Sequence, residues 1–364
     1  MTVALHAFDG LTGAHLTRLD RTSLRWSDSI SEAGSLDAEV PLDQPRDLAR
    51  CLRCYGSVLA AVEGSEVLHA GYVTKVTVDR AARSVAVSAG GGWTVLEKRL
   101  VLDRALASGW RDGQVLIDED NPPGSWVLNL RGTYRDIARG LLAETMAWGA
   151  LPFSLPPVEG GTAHERTYNS WDFATVADRL GDLADLEDGP EVRFDPRLDA
   201  RWNLTFALNV ADEIVDHSFR WNCSVPGQAV ALGDSDCDGS AMCSQSFGVG
   251  GKDDDLVLVA RATGTALTSR GWPLLQSANT GHTTISRLET LRGYVRADVA
   301  AGDSPQETVS LTVPMSTRAR PGDHADVRVP ADAMAPGGLL RLKVTDVSGD
   351  AATGRLTLQC RERA

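Results

Sequence analysis

The densest run of hard oxygen ligands in the chain is Asp234-Ser-Asp236-Cys-Asp238-Gly239. Carboxylates at the first, third and fifth places with Gly at the sixth match the front half of a calcium loop. Calcium takes several hard oxygens, and the Gly permits the sharp turn. The match stops there: Gln245 stands at the twelfth place instead of a bidentate Glu, and no helix clearly precedes the run. Asp234, Asp236 and Asp238 are therefore candidate calcium ligands, with a mobile acidic loop as the competing reading. No other cofactor is implied. Cys51 and Cys54 have the spacing of a zinc-ligand pair, but structural zinc takes four ligands and no second pair of Cys or His accompanies them. They read as small hydrophobes under a helical turn. Six Cys in 364 residues make no disulfide framework, and the seven His show no metalloprotease spacing.

Other chemistry is weaker still. Gly90-Gly91-Gly92 is not followed by the Lys-Ser/Thr of a phosphate loop, so it reads as a tight bend. Asp178, Asp182, Asp185, Glu187 and Asp188 decorate one side of an expected helix, the pattern of a solvated face. A glycoside hydrolase needs paired carboxylates in a cleft, and no acidic pair here stands on a motif. A sugar binder needs exposed aromatics; of the nine Trp, Trp26, Trp93 and Trp171 sit in core-like patterns. No catalytic residue is assigned.

Composition frames these sites. Hydrophobic residues make up 43% and charged residues 23%, ordinary for a globular protein of two to three domains. No apolar run is long enough to span a membrane, and the first ten residues lack the basic and apolar regions of a secretory signal. The net charge of −13 argues against sequence-reading of nucleic acid, which wants a basic face. It is compatible with a surface past which a polyanion slides.

The elements that must carry any site are mostly strands. Gly71–Leu96 reads as a hairpin, with alternating Val85 and Val87 after a polar break at 79–83. The pattern returns in Leu339–Cys360, where Lys343-Val344-Thr345 matches Lys75-Val76-Thr77. Upstream, 55–64 corresponds to 321–330, and Ser35–Pro41 to Glu307–Pro314, both ending in Val-Pro. Gly56 to Lys75 is 19 residues and Gly322 to Lys343 is 21. The chain thus reads as an internal duplication around a mixed centre: a β domain over 1–104, an α+β domain over 105–285 and a second β domain over 286–364. Helices are expected at 45–54, after Thr133, and from Ser170 to Gly189, and a strand or short helix at 283–291. A hairpin near 191–225 is a candidate to join the second β domain.

The order of several motifs resembles that of tail-tip hub, or minor tail, proteins of siphophages infecting actinobacteria, with the Gp37-like minor tail family nearest. They are Leu24-Arg-Trp26, Gly71–Lys75, Gly92–Leu96 with Arg99, Trp171 with Leu180 and Leu183, Arg320-Pro-Gly-Asp323 and Lys343–Val347. The resemblance implies two tail-tube-like β-barrels in tandem, joined by a mixed domain. It also implies a homotrimer forming a ring of six barrels around a channel through which DNA passes in transit. The expected partners are the tail tube or distal tail protein and other tail-tip proteins; the expected place is the virion tail tip, assembled in the host cytoplasm. The competing function is a cell-wall hydrolase or carbohydrate-binding tail protein.

Overall fold

The structure, a computed structural model, describes residues 3–44, 47–104, 106, 126–186, 189–225, 227–253, 256–281, 285, 287–333 and 337–363. The turn-rich stretches 110–113 and 121–124 lie outside them. The first segment holds β1 (Ala4–Asp9), β2 (His15–Leu19), β3 (Ser23–Ser29), β4 (Ser35–Pro41), the one-turn helix α1 (Leu48–Cys51), β5 (Ser57–Glu63), the long β6 (Glu66–Asp79), β7 (Ser84–Gly90) and α2 (Gly92–Leu96). The Asp9 carboxylate accepts the N–H groups of Leu11 and Thr12 and so turns β1 into β2. β4 alternates, with Leu36, Ala38 and Val40 buried. β5 is apolar on both faces because both are covered. The triple Gly bends β7 into α2: a methyl on Gly90 would stand 2.1 Å from Thr94 Oγ1, and one on Gly92 2.9 Å from Phe194 Cβ.

The central segment holds β8 (Val127–Gly132), α3 (Tyr134–Trp148), β9 (Phe153–Ser154), β10 (His164–Asn169), α4 (Val176–Ala184), β11 (Glu191–Leu198) and β12 (Leu204–Ala211). Thr133 caps α3 in a full capping box with Asp136, as the sequence indicates. Ser170 does not cap α4. It opens a 3-10 turn ended by Phe173 in the left-handed region (φ 48°), and Thr175 with Asp178 forms the capping box one turn later. Ile137, Leu141, Leu180, Leu183 and Phe206 pack on Phe8, Val58, Ala60 and Tyr72, the far face of β1, β5 and β6.

The last segment holds β13 (Ser218–Asn222), β14 (Ala231–Asp238), β15 (Gln245–Asp253), β16 (Leu256–Thr263), α5 (Ala266–Ser269), β17 (Gln276–Asn279), α6 (Leu288–Ala301), β18 (Gln306–Pro314), β19 (His324–Val329), β20 (Gly338–Asp350) and β21 (Arg355–Glu362). Leu291 and Val295 of α6 cover Ala260 in a small satellite of β15, β16 and β17. The stretch 191–225 divides. β11 and β12 pair with each other and with β9, while β13 joins β19.

The duplication is written in the pairing. The antiparallel order β3-β4-β7-β6-β5 recurs as β14-β18-β21-β20-β19. Val40-Pro41 and Val313-Pro314 occupy equivalent places, opposite Val85-Ser84 and Leu356-Arg355. Each long strand carries a bulge against its hairpin partner. Thr74 is the extra residue between Val73↔Ala89 and Lys75↔Ser88, and Thr345 the extra residue between Val344↔Cys360 and Asp346↔Gln359. Each bulged Thr donates its hydroxyl to the opposing carbonyl, Ser88 or Gln359, at 3.1 Å. Thr74 is thus the partner of Thr345, so the Lys-Val-Thr match in the sequence is displaced by three residues.

The two halves show no closed barrel among the described residues. They form one open sheet of 13 strands, because residues 346–350 of β20 pair with β3. Its inner face is one continuous core that joins Leu24, Leu36 and Val87 to Leu311, Val344 and Leu358.

The joint depends on Gly349, paired with Trp26 across β20 and β3. A methyl there would stand 2.2 Å from the indole ring. Gly349→Ala is therefore expected to lose about 1–3 kcal/mol through overpacking. Urea unfolding checks it, and an unchanged midpoint would show that the ring yields.

Candidate functional site

The strongest concentration of buried charge lies where the two halves meet the central segment. Arg193 of β11 is 2% exposed. Its Nε donates to Asp195 at 2.6 Å, Nη1 to the carbonyl of Pro321 at 2.6 Å, and Nη2 to Asp216 at 2.5 Å. One planar guanidinium thus ties a central strand to a turn of the second half. Burial opposes its charge, yet the Asp195 and Asp216 carboxylates hold it above its ordinary pKa. Nearby, Arg318 pairs with Glu63 and Glu66, and Arg320 lies 3.6 Å from Glu66. These pairs link the second half to β5 and β6 of the first. Asp323, fully buried, accepts the backbone N–H groups of Asp216, His217 and Arg320. The Arg320-Pro-Gly-Asp323 motif is therefore a structural joint.

Two titratable groups face this joint. Loss of hydration raises Asp28 to about 7, against the pull of Arg193 and with the push of Asp195. Burial lowers His69 to about 4, and its Nε2 has no hydrogen-bond partner. The cleft between Asp28, Arg193, Arg320 and Trp26 has a volume of about 30 Å³, room for one water and too small for a sugar ring.

The outer face of the large sheet has a different character. Ser27 and Ser35 hydroxyls lie 2.8 Å apart, Ser88 donates to Asp37 at 2.7 Å, Ser29 to Asp346 at 2.6 Å, and Arg25 to Asp350 at 3.1 Å. Thr77, Ser348, Thr357 and Gln359 belong to the same register on neighbouring strands. This face is a field of short hydroxyls and acids crossing both halves, with Arg25, Lys75 and Arg355 among them and few large apolar groups. The alternation that fills the core generates it without further instruction.

The sequence places Asp234, Asp236 and Asp238 in a loop; the structure places them in β14, an exposed strand at the end of the sheet. An extended chain separates alternate residues by roughly 6.5–7 Å, so the three carboxylates line up instead of converging. Among the described residues no group of three or more His, Cys, Asp and Glu gathers closely enough to hold a metal ion. Cys51 is buried and Cys54 exposed. Trp26 and Trp93 are core residues as expected, whereas Trp171 is 36% exposed, beside the turn that displaced the start of α4. The joint around Arg193 was missed because its members come from separate stretches of sequence. Of its members the sequence singled out only the Arg320-Pro-Gly-Asp323 motif.

Three outcomes follow. Arg193→Ala removes the shortest ion pair of buried Asp195 and is expected to cost on the order of 3–5 kcal/mol in chemical unfolding. Asp28 has a folded pKa above its unfolded value, so the folded state binds the extra proton and stability falls as pH rises from about 4 to about 7. Asp28→Asn is therefore expected to raise the melting temperature relative to the native chain at pH 8, with the gain shrinking toward pH 4. A gain equal at both pH values would refute the assignment. For β14, added calcium is expected to leave the melting temperature unchanged; a saturable rise abolished by Asp236→Asn would support the metal reading.

No family model matches the sequence, and none of the curated proteins matches it. Solved structures do share its fold. The 43 kDa tail protein of prophage MuSo2 from Shewanella oneidensis matches with TM-score 0.56 and 13% identity, over 99% of this chain and 98% of that one. The prophage tail protein gp18 from Listeria monocytogenes EGD-e matches with TM-score 0.54 and 11% identity, over 99% and 94%. The tail protein from Neisseria meningitidis MC58 matches with TM-score 0.53 and 12% identity, over 100% and 97%. The chain thus has, from end to end, the fold of these tail proteins.

Proposed function

We propose that the chain is a structural virion protein, a hub in the tail tip of a siphophage, and not an enzyme. It joins the tail tube, or a distal tail protein, to the other tip proteins. Three copies form a ring whose lumen passes DNA. The observation that carries this reading is the repeated strand order fused into one sheet with a hydroxyl-rich and acidic outer face. Two similar halves per chain turn threefold chain symmetry into approximate sixfold symmetry, which suits a part standing between a sixfold tube and a threefold tip. The end-to-end fold likeness to three tail proteins supports the setting.

In this reading the first tube-like unit spans 1–104, the intermediate unit 105–285 and the second tube-like unit 286–364, with β13 and β14 lent to the second. The outer face lines the channel. Short Ser and Thr side chains carry no charge, and the acids repel phosphate and pair Arg25 with Asp350, so the counterion release that Lys and Arg would drive is limited. The net charge of −13 per chain works in the same direction. Assembly takes place in the host cytoplasm before the tail is complete. The wall-hydrolase and sugar-binding alternative lacks support at the joint, where the cleft holds about one water.

Sedimentation of the purified protein is expected to give three chain masses, and class averages a ring of six lobes. Double-stranded DNA is expected to show no retention at low salt. A monomer at all concentrations, a six-chain ring, or turnover of purified cell wall would each refute the proposal.

A further inference from the structure

The joint within the chain has a counterpart that is left open. Residues 346–350 of β20, just past the Thr345 bulge, pair with the free edge of β3. In the first half the equivalent residues are 75–79 of β6, just past the Thr74 bulge. They pair with β7 along one edge, and no described strand takes the other. The equivalent of β3 in the second half is β14, which among the described residues pairs only with β18. Among the described residues the sheet leaves edges unpaired at β2, β13 and β14 and along residues 75–79 of β6, and the internal joint shows how the last two fit. Unpaired edges in a stable protein are normally covered or used.

We propose that β14 of one copy pairs antiparallel with residues 75–79 of β6 in the next copy, repeating the β3–β20 joint between chains. This rests on the ring reading above and supplies its contact. Register carries over from the bulges and from the shared partner strands. Ser29 opposite Asp346 becomes Asp238 opposite Lys75, and Trp26 opposite Gly349 becomes Ser235 opposite Val78. Both substitutions are complementary. The hydrogen bond of Ser29 to Asp346 is replaced by an ion pair. The large–small pair of Trp26 and Gly349 is replaced by a small–large one, with Val78 supplying the bulk. Val78 is 39% exposed in the single chain although it stands on the apolar side of its strand, as expected of a residue covered only on assembly. The interface is heterologous, and repetition by rotation closes it into a ring. The acidic run on β14 then serves as one half of a seam.

The chain has four lysines, Lys75, Lys98, Lys252 and Lys343. A carbodiimide joins an amine directly to a carboxylate in contact with it, so the native protein reports its own seam. The expected result is cross-linking between chains, with Lys75 joined to Asp238 or Asp236 in the peptides of the dimer and trimer bands. Lys75→Glu is expected to weaken assembly on the order of tenfold, with Asp238→Lys in the same chain restoring it. A trimer whose links never involve Lys75, or a Lys75→Glu chain that assembles as the native one does, overturns the seam and leaves the ring standing. A native chain that sediments only as a monomer overturns both.

Discussion

One strand has to satisfy three neighbours with two edges. β20 gives one edge to β21 and divides the other between β19 and β3, and the Thr345 bulge marks the division. A bulge adds a residue on one side, bends the strand and raises its twist. That bend lets the sheet of the second half run on into the first without a break. The shared core, the continuous polar face and the meeting of the halves with the central segment all follow from it. Gly349 is small because Trp26 crosses the joint there, and the Arg193 network fills the corner that the bend leaves behind.

The polar and apolar organisation is asymmetric for the same reason. In the first half, the far side of β1, β5 and β6 is apolar and lies under α3, α4 and the β11–β12 hairpin. The strands nearer the joint are covered on one face only. Two-sided burial shows in the sequence as an uninterrupted apolar run at Val58–Val62, one-sided burial as the strict alternation of Ser35–Pro41. The difference between those two patterns marks which strands of the sheet carry an open face.

Much of this was legible before any coordinates. The alternation at 35–41 and 307–314, the hairpins, the capping box at Thr133 and the paired Val-Pro ends all sit where their local chemistry puts them. What escaped were features set by partners distant in sequence. The fusion of two halves through β3 and β20 joins residues more than 300 apart. The acids of β14 resembled a loop because spacing alone cannot tell alternate carboxylates on a strand from those of a metal loop. The start of α4 slipped by one turn because Phe173 adopts a left-handed backbone that its side chain does not advertise.

The paired bulges also allow the two copies to be aligned in two ways. Matched by residue identity, they align at Lys-Val-Thr; matched by backbone, they align at the bulged threonines, three positions away. The bulge absorbs that odd displacement, because one extra residue restores the alternation. Val76 and Val344 therefore both pack on the shared core although one follows its bulge and the other precedes it. Beyond the motif the two alignments part: Val78 lies on the core side of its strand, whereas Asp346 lies on the outer one. A bulge can thus change its place along a strand and leave the inward pattern of a short motif intact.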